Sequence, residues 1–211
     1  MRIFSLLLSF VFCATLWAEK PDSKIKDEAS LIEVCQALSE KKIAKGDFRQ
    51  IKLIFRLKRE MVSTGVFVIS ADDGILWETQ NPYASTMVMT KNSLVQINAK
   101  GKKTLMNSET NATFAQFANV LSSVFNANPK TLTENFNVEV VGTSSEAWNI
   151  NLTPKNSSIK KFIASIDMAG HGSIEIMTLH EPNGDYIRYE FMNHIYPEKL
   201  TDEEKSAFSE K

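Results

Sequence analysis

Residues 64–79 read TGVFVISADDGILWET, and this stretch decides the fold. Two apolar runs flank the segment Ala71-Asp72-Asp73-Gly74, and an Asp-Gly pair in that setting predicts a β-hairpin. The first strand is predicted over residues 64–70 and the second over residues 75–79. Because the first strand is apolar on both faces, we expect one face to rest on a helix and the other to line an interior.

Further short strands are predicted on both sides of this hairpin. Residues 49–59 alternate, so Ile51, Leu53, Phe55 and Leu57 are predicted to face inward. Lys52, Arg56 and Lys58 are predicted to form a solvated basic ridge, with contact to lipid head groups or to an acidic partner as the alternative. Later strands are predicted over residues 86–90, 94–99, 136–141, 148–153, 161–168, 173–179 and 186–194. About ten antiparallel strands at hairpin spacing are compatible with a sandwich, a closed barrel or an open half-barrel.

Three helices interrupt or flank the strands. Residues 27–42 carry apolar side chains at helical spacing, and Gly46 is predicted to end that helix. Residues 113–125 place one apolar stripe on a helix that starts with a Thr113/Gln116 capping box and ends at Asn128-Pro129. Residues 201–209 form a short polar helix with a Thr201/Glu204 cap. The mid-chain helix is well placed to cover a curved sheet.

The amino terminus has the three-part pattern of a secretory signal peptide. A basic start is followed by an apolar run and then by the polar segment that opens with Glu19. We expect residues 1–18 to be cleaved and residues 19–211 to form a single exported domain. Cys13 raises the alternative of a lipoprotein anchor, but bulky Phe12 precedes it, so cleavage after Ala18 is favoured. Cys35 is expected to be a small buried hydrophobe on the first helix.

Composition argues against several classes of function. The chain has 24 Lys+Arg against 25 Asp+Glu and a net charge of -1, which does not suit a nucleic-acid binder. His171, His180 and His194 are scattered, and no His-Glu-x-x-His, Gly-x-Ser-x-Gly or phosphate-loop motif occurs. We therefore expect no enzymatic activity, no metal site and no cofactor.

The hairpin and its neighbours also carry a family pattern. A Gly-x-Φ-x-Φ strand, a short turn, an apolar residue, a Trp and a later Pro correspond to Gly65, Phe67, Ile69, Ile75, Trp77 and Pro82. The segments 46–50, 152–155 and 161–174 match in order and spacing. The chain thus resembles the LolA-type periplasmic carriers of outer-membrane lipoproteins. The resemblance implies a mainly β fold with α (α+β), an open half β-barrel of about ten antiparallel strands covered by helices.

The resemblance also implies partners and one departure. A periplasmic carrier would take lipoprotein or lipid cargo from an inner-membrane donor complex to an outer-membrane acceptor, as a monomer and without nucleic acid. Family members carry a basic pair and a Pro in the turn before the Trp strand, and the Arg of that pair latches the lid. Here Ser70, Ala71 and Asp72 occupy these positions, so the family latch is absent at this point of the chain and the resemblance leaves the identity of the cargo open.

Two residue sets are predicted to form the site. The lipid cavity is expected to be lined by Phe55, Leu57, Phe67, Ile69, Ile75, Trp77, Met87 and Met89, and the lid by Phe114, Phe117, Leu121 and Phe125. Unbranched Met side chains would adapt to variable acyl chains. The alternative for each residue is ordinary core packing. The alternative function is an envelope sensor or assembly module that uses the same fold to bind lipidated or misfolded proteins.

Overall fold

The computed structural model describes residues 28–144 and 147–209. Within these ranges it describes the side chains except those of residues 112–114, 116, 117, 119, 120 and 141–144. The predicted signal peptide, with Cys13, lies outside the described residues. So do the side chains of Phe114 and Phe117.

In the described part of the chain, eleven antiparallel strands form one open sheet. Its spatial order is β6-β5-β4-β3-β2-β1-β11-β10-β9-β8-β7, so β6 and β7 are unpaired edges and the sheet does not close. The strands are β1 (Ile43–Ile54), β2 (Arg59–Ser70), β3 (Gly74–Asn81), β4 (Ser85–Met89), β5 (Ser93–Ile97), β6 (Lys103–Asn107), β7 (Phe136–Ser144), β8 (Ala147–Pro154), β9 (Ser165–Gly170), β10 (Ile176–His180) and β11 (Tyr186–Ile195). This confirms the predicted α+β open half-barrel.

Four helices accompany the sheet in the same described ranges: α1 (Glu28–Ser39), α2 (Ala112–Phe125), α3 (Pro129–Asn135) and α4 (Asp202–Ser209). No helix there is both long enough and apolar enough to cross a bilayer. Cys35 is buried on α1, as predicted. Burial raises the pKa of its thiol to about 11.

The predictions for the first strand were wrong at both ends and in the choice of inward face. β1 begins at Ile43, so Gly46 lies inside a strand, where a Cβ atom would stand 2.4 Å from the Met192 carbonyl oxygen. Phe55 and Leu57 belong to a 3-10 turn (Phe55–Leu57) that Lys58 closes with a φ of 47°. Phe48 is fully buried, and alternation from it turns Gln50 and Lys52 inward.

Two elements were missed in the sequence. α2 ends at Phe125 and Ala127 follows with a φ of 45°, while Asn128 and Pro129 start α3. The Asn128 side chain accepts a hydrogen bond from the Thr131 N–H at 3.1 Å, and Pro129 takes the first helical position. The edge strand β6 lacks an apolar alternation because most of its side chains are exposed. The predicted start at residue 161 is also wrong, since a 3-10 turn (Ile159–Lys161) precedes β9.

Both faces of the central strands are covered, as the apolar hairpin predicts. The concave face carries the main core, with α1 and α2 packed against it, and includes Phe48, Phe67 and Trp77. The convex face packs Val68, Leu76, Val88 and Val95 against Leu200 and the apolar side of α4. The sheet is therefore sandwiched between helices.

Helix α4 is fastened to the convex face by its first turn. The Thr201 N–H donates to Glu204 Oε2 at 2.8 Å and the Glu204 N–H donates to Thr201 Oγ1 at 3.3 Å, which confirms the predicted capping box. Glu204 also accepts a hydrogen bond from Lys45 Nζ at 2.7 Å, and both side chains are largely shielded from solvent. The carboxylate thus joins the helix cap to β1.

Candidate binding cavity

A large cavity lies between the concave face of the sheet and α2. Its volume is about 690 Å³, within the range that holds small-molecule ligands. Its walls are mainly apolar, and polar side chains interrupt them toward the strand ends. The lining residues are Gln50, Lys52, Met61, Val62, Ser63, Ile75, Trp77, Thr79, Pro82, Tyr83, Ser85, Met87, Gln96, Leu121, Phe125, Met177, Leu179, Ile187 and Tyr189.

The structure brings five of the predicted site residues to this cavity. Ile75, Trp77 and Met87 come from adjacent strands whose register aligns Trp77 with Met87, and Leu121 and Phe125 come from α2. The structure thereby places residues from the sheet set and the lid set on opposite walls of one space.

The other predicted wall residues lie elsewhere. Phe67 and Ile69 border a small neighbouring cavity of about 60 Å³. Met89 borders a second cavity of about 270 Å³ beside the β2–β3 turn. Phe55 and Leu57 are 62% and 60% exposed at the β1–β2 turn and do not line the main cavity, because the strand ends before them.

The floor of the cavity is an aromatic cluster built around Trp77. The centroid of its ring lies 4.2 Å from that of Phe48, 5.1 Å from that of Tyr189 and 5.9 Å from that of Phe191. Tyr189 and Phe191 meet Trp77 edge to face, a favoured arrangement for aromatic pairs. The packed rings fill the space below the cavity, and one side of the Trp77 ring faces the cavity.

Three Met residues line the cavity wall. Met61, Met87 and Met177 come from strands on opposite sides of Trp77. Met61 was missed in the sequence because it lies near the start of β2, outside the strand predicted over residues 64–70. The unbranched, polarizable side chains of the three Met residues let the wall adapt to ligands of different shape.

Polar side chains mark the open part of the cavity. Gln50, Lys52 and Ser63 lie on β1 and β2, and Lys52 pairs across the strands with Met61. Lys52 makes no ion pair with any residue the structure describes, so its ammonium is available to a ligand. The sequence pattern predicts Lys52 on the outer face because it assigns the apolar residues Ile51 and Leu53 to the inner face. The signal that would have corrected it was Phe48, the large aromatic just upstream.

Tyr189 supplies a further polar group. Burial raises its pKa to about 12, so the phenol stays protonated at neutral pH and offers an O–H donor rather than a charge. Its ring packs on Trp77 and its residue lines the main cavity. The site therefore combines apolar walls with one cation and neutral hydrogen-bonding groups.

The turn that would carry the family latch faces α2 across the second cavity. Ala71, Asp72 and Asp73 line one side of that cavity and Ser122 and Asn126 line the other. Asp73 accepts a hydrogen bond from Ser70 Oγ at 2.6 Å, while Asn126 Nδ2 donates to Ser122 Oγ at 3.0 Å. The polar side chains of the turn thus hydrogen-bond within the turn, and those of α2 hydrogen-bond within the helix segment.

Outside the cavity, the titratable side chains that the structure describes form no recognisable catalytic set. His180 Nε2 lies 2.8 Å from Asp167 Oδ2 on a solvent-exposed part of β9 and β10, and Asn151 Nδ2 donates to the same carboxylate. No group of three or more His, Cys, Asp and Glu side chains in residues 28–144 and 147–209 has the geometry to hold a metal ion.

His194 predicts a pH dependence of stability. Burial and the nearby Lys41 lower its pKa, against the opposing effects of its hydrogen bond to the Ile174 carbonyl and of Glu175. Because the folded pKa lies below that of the unfolded chain, stability is full above about pH 6.5 and falls as the pH drops toward the folded pKa. Urea denaturation at several pH values measures this loss.

The matched variants for this test are His194→Gln and His171→Gln. We expect His194→Gln to lose less stability between pH 7.5 and pH 5.5 (about one unit either side of the usual His pKa) than the native chain. His171 is exposed, with 64% of its side chain accessible, so its variant should follow the native curve. Parallel curves for all three proteins would contradict the assignment to His194.

An open sheet that curls over an apolar cavity and is covered by a helix has the architecture of a binding protein. The family model described as "Outer membrane lipoprotein carrier protein LolA" matches residues 39–206, and the chain therefore belongs to the LolA family. Members of this family are periplasmic binding or carrier proteins rather than enzymes. None of the curated protein sequences matches the chain.

Solved structures with a similar fold include two from other bacteria. A LolA superfamily protein from Nitrosomonas europaea has 8% sequence identity and a TM-score of 0.46, and the match covers 82% of this chain and 96% of that one. A DUF1329 family protein from Desulfovibrio piger has 10% identity and a TM-score of 0.47, with coverage of 86% of this chain and 98% of that one.

Proposed function

We propose that the protein is a periplasmic carrier that binds the acyl chains of a lipoprotein or lipid and shuttles this cargo from the inner toward the outer membrane. The observation that carries the proposal is the cavity of about 690 Å³, whose apolar sheet wall and α2 wall enclose one space. An acyl chain is a biological ligand that suits a mainly apolar cavity of this size. No catalytic step is required.

The energetics of acyl burial constrain the mechanism. Burying about 14 methylenes contributes roughly 11 kcal/mol, so water alone does not extract the chain at a useful rate. Release is therefore coupled to an outer-membrane acceptor that buries the chain in turn, and loading to an inner-membrane donor complex. The carrier acts as a monomer with two states of its lid that differ by a few kcal/mol.

Mass spectrometry of lipids that co-purify with the protein from the periplasm tests the proposal. The native chain is expected to carry acylated lipid or lipoprotein. In Met87→Trp the larger indole fills part of the cavity, so the bound lipid should fall several-fold at equal protein yield. Circular dichroism checks that the variant is folded. Equal lipid content in both proteins, or none in either, would remove the support for a carrier.

The position of Lys52 predicts a preference for an anionic head group. A hydrogen-bonded ion pair at this half-buried site contributes on the order of 1 kcal/mol, so Lys52→Gln should weaken binding of a long-chain fatty acid about fivefold. Binding of the fatty alcohol of the same length should not change. Calorimetric titration measures both, with the exposed Lys91→Gln as the matched control. Equal losses for acid and alcohol would place the ammonium away from the head group.

A further inference from the structure

One end of the sheet gathers the mouth of the cavity and several turns. The β1–β2, β3–β4 and β10–β11 turns meet there, because Ile54 pairs with Arg59, Thr79 with Ser85, and Leu53 with Tyr186. The β5–β6 turn and the β8–β9 connection reach the same end, since Ile97 pairs with Thr86, and Leu152 with Ile166. We call this group of turns the mouth end.

Large apolar side chains are exposed at the mouth end. Phe55 is 62% exposed, Leu57 60% and Tyr83 78%, and the neighbouring Met61 is 50% exposed. Met61 and Tyr83 also line the main cavity, so exposed apolar side chains at this end reach the rim of the cavity. Exposed large apolar side chains gathered at one end of a molecule are typical of an interaction site.

The conformation that exposes Phe55 is fixed by the fold. Its backbone N–H donates to Asp185 Oδ1 at 2.8 Å, and its carbonyl accepts from the Lys58 N–H at 3.1 Å. The Phe55 ring lies against Gly184, where an added Cβ atom would stand 3.3 Å from Cδ1 of the ring. The β10–β11 turn thus supports the β1–β2 turn. These contacts hold the exposed apolar side chains of the β1–β2 turn in a fixed position on the surface.

Positive charge is concentrated at the same end. The turns there carry Arg56, Lys58, Lys100, Lys102, Lys160 and Lys161. Lys155 also lies there and donates to the Thr133 carbonyl. The acids there are Glu60 at the start of β2, Glu134 at the end of α3, Glu181 and Asp185, and the Asp185 carboxylate accepts a hydrogen bond from the Phe55 N–H.

The opposite end of the sheet has no such excess of positive charge. Asp72 and Asp73 lie in its β2–β3 turn and Glu175 in its β9–β10 connection, while Lys41 and Lys42 precede β1 and Lys91 lies in its β4–β5 turn. The whole chain has a net charge of -1, so the positive charge of the mouth end is local rather than a general excess.

We propose that the mouth end docks the protein directly on anionic phospholipid bilayers, with Phe55, Leu57 and Tyr83 entering the interface and the surrounding Lys and Arg side chains meeting lipid phosphates. Apolar insertion and electrostatic attraction add in such peripheral binding. Docking in this orientation turns the cavity mouth toward the bilayer. The surface reaches beyond the cavity rim to Phe55 and Leu57, which do not line the cavity, so the inference goes beyond the proposed carrier function.

Vesicle co-flotation of the mature protein tests the docking surface. Vesicles of phosphatidylcholine with phosphatidylglycerol are compared with vesicles of phosphatidylcholine alone. We expect binding to the anionic vesicles that weakens at high salt. The double variant Arg56→Gln/Lys58→Gln should lower it about 25-fold, since each basic residue near an anionic surface contributes roughly fivefold. The double variant Phe55→Ser/Leu57→Ser should lower it about tenfold, since it removes two apolar side chains from the interface.

Matched controls come from outside the mouth end. Ile195 is 59% exposed on β11 at the opposite end, so Ile195→Ser controls for loss of one exposed apolar side chain. Lys91→Gln/Lys199→Gln controls for the loss of two charges. Both controls should bind anionic vesicles like the native chain.

Three results would overturn the docking surface: no binding to either vesicle, equal loss in the control variants, or mouth-end variants that bind normally. Binding only when a membrane protein is reconstituted in the vesicles would show that the mouth end binds a protein rather than lipid. That result would also overturn the proposal. Binding of a soluble fatty acid, measured in the same variants, is expected to be unchanged. Loss of docking with retained fatty-acid binding therefore separates this inference from the carrier function.

Discussion

Trp77→Ala is expected to lower the free energy of unfolding by about 3–5 kcal/mol, the usual cost of truncating a buried aromatic residue. Trp77 is only 8% exposed and contacts Phe48, Tyr189 and Phe191 in the cavity floor. Its loss removes apolar burial and leaves a void that the flanking β-strands cannot close. Urea denaturation, followed by circular dichroism, measures the change.

Two further variants serve as comparisons for Trp77→Ala. Trp77→Phe keeps an aromatic ring and should cost less than half as much as Trp77→Ala. Tyr83→Ala removes an aromatic side chain that is 78% exposed at the cavity mouth and should stay within about 0.5 kcal/mol of the native chain. If Trp77→Ala costs no more than Tyr83→Ala, Trp77 does not close the floor of the cavity.

Tethering α2 to the β2–β3 turn is expected to reduce acyl-ligand uptake tenfold or more. Ala71 and Ser122 line the same cavity from opposite sides, so cysteines at both positions can be joined by a short bis-maleimide. A lid that must separate from the sheet to admit an acyl chain cannot do so once tethered. Uptake of a fluorescent fatty acid, measured before and after cross-linking, tests this prediction.

The controls for the tether are built into the chain. Each single-cysteine variant, treated with the same reagent, should take up ligand normally. The thiol of Cys35 is buried and its pKa is raised to about 11, so it should remain unmodified. Undiminished uptake in the tethered protein would show that α2 is a fixed part of the core.

The absence of a polar latch leads to a related expectation. In the proposed carrier mechanism, closure of the lid rests on apolar residues, of which Leu121 and Phe125 face the cavity, and each contributes roughly 1.5–3 kcal/mol when fully buried. Closure of this kind responds weakly to salt. Because Ala71 is exposed in its turn, Ala71→Arg is expected to fold and to slow ligand release by adding a polar contact to α2.

The fold could be predicted where local chemistry and tertiary packing agree. The Asp-Gly hairpin aligned Phe67 with Trp77, and Ile69 with Ile75, because the turn fixes the strand register. The Thr201/Glu204 capping box was equally readable, since it depends on two side chains three residues apart. These are short-range signals that the remainder of the sheet does not override.

The site could be predicted only in part, because its geometry depends on distant strands. Residues 49–59 alternate regularly, yet the pairing of β1 with β11 places Phe48 opposite Phe191 and so sets the inward face. That long-range register turned Lys52 into the cavity and left Phe55 exposed in a turn. Tyr189 and Met177 were missed for the same reason: their positions are set by strands that lie far from the hairpin in sequence.

Quenching of Trp77 by a brominated stearic acid tests the central claim that acyl chains enter this cavity. Bromine quenches indole fluorescence only at close range, and Trp148→Phe leaves Trp77 as the one tryptophan of residues 28–144 and 147–209. The account predicts saturable quenching by the brominated acid and little by plain stearic acid. Trp77→Phe, in which the buried Trp148 remains, should show weaker quenching. Equal emission with the brominated and plain acids at saturation would contradict the account.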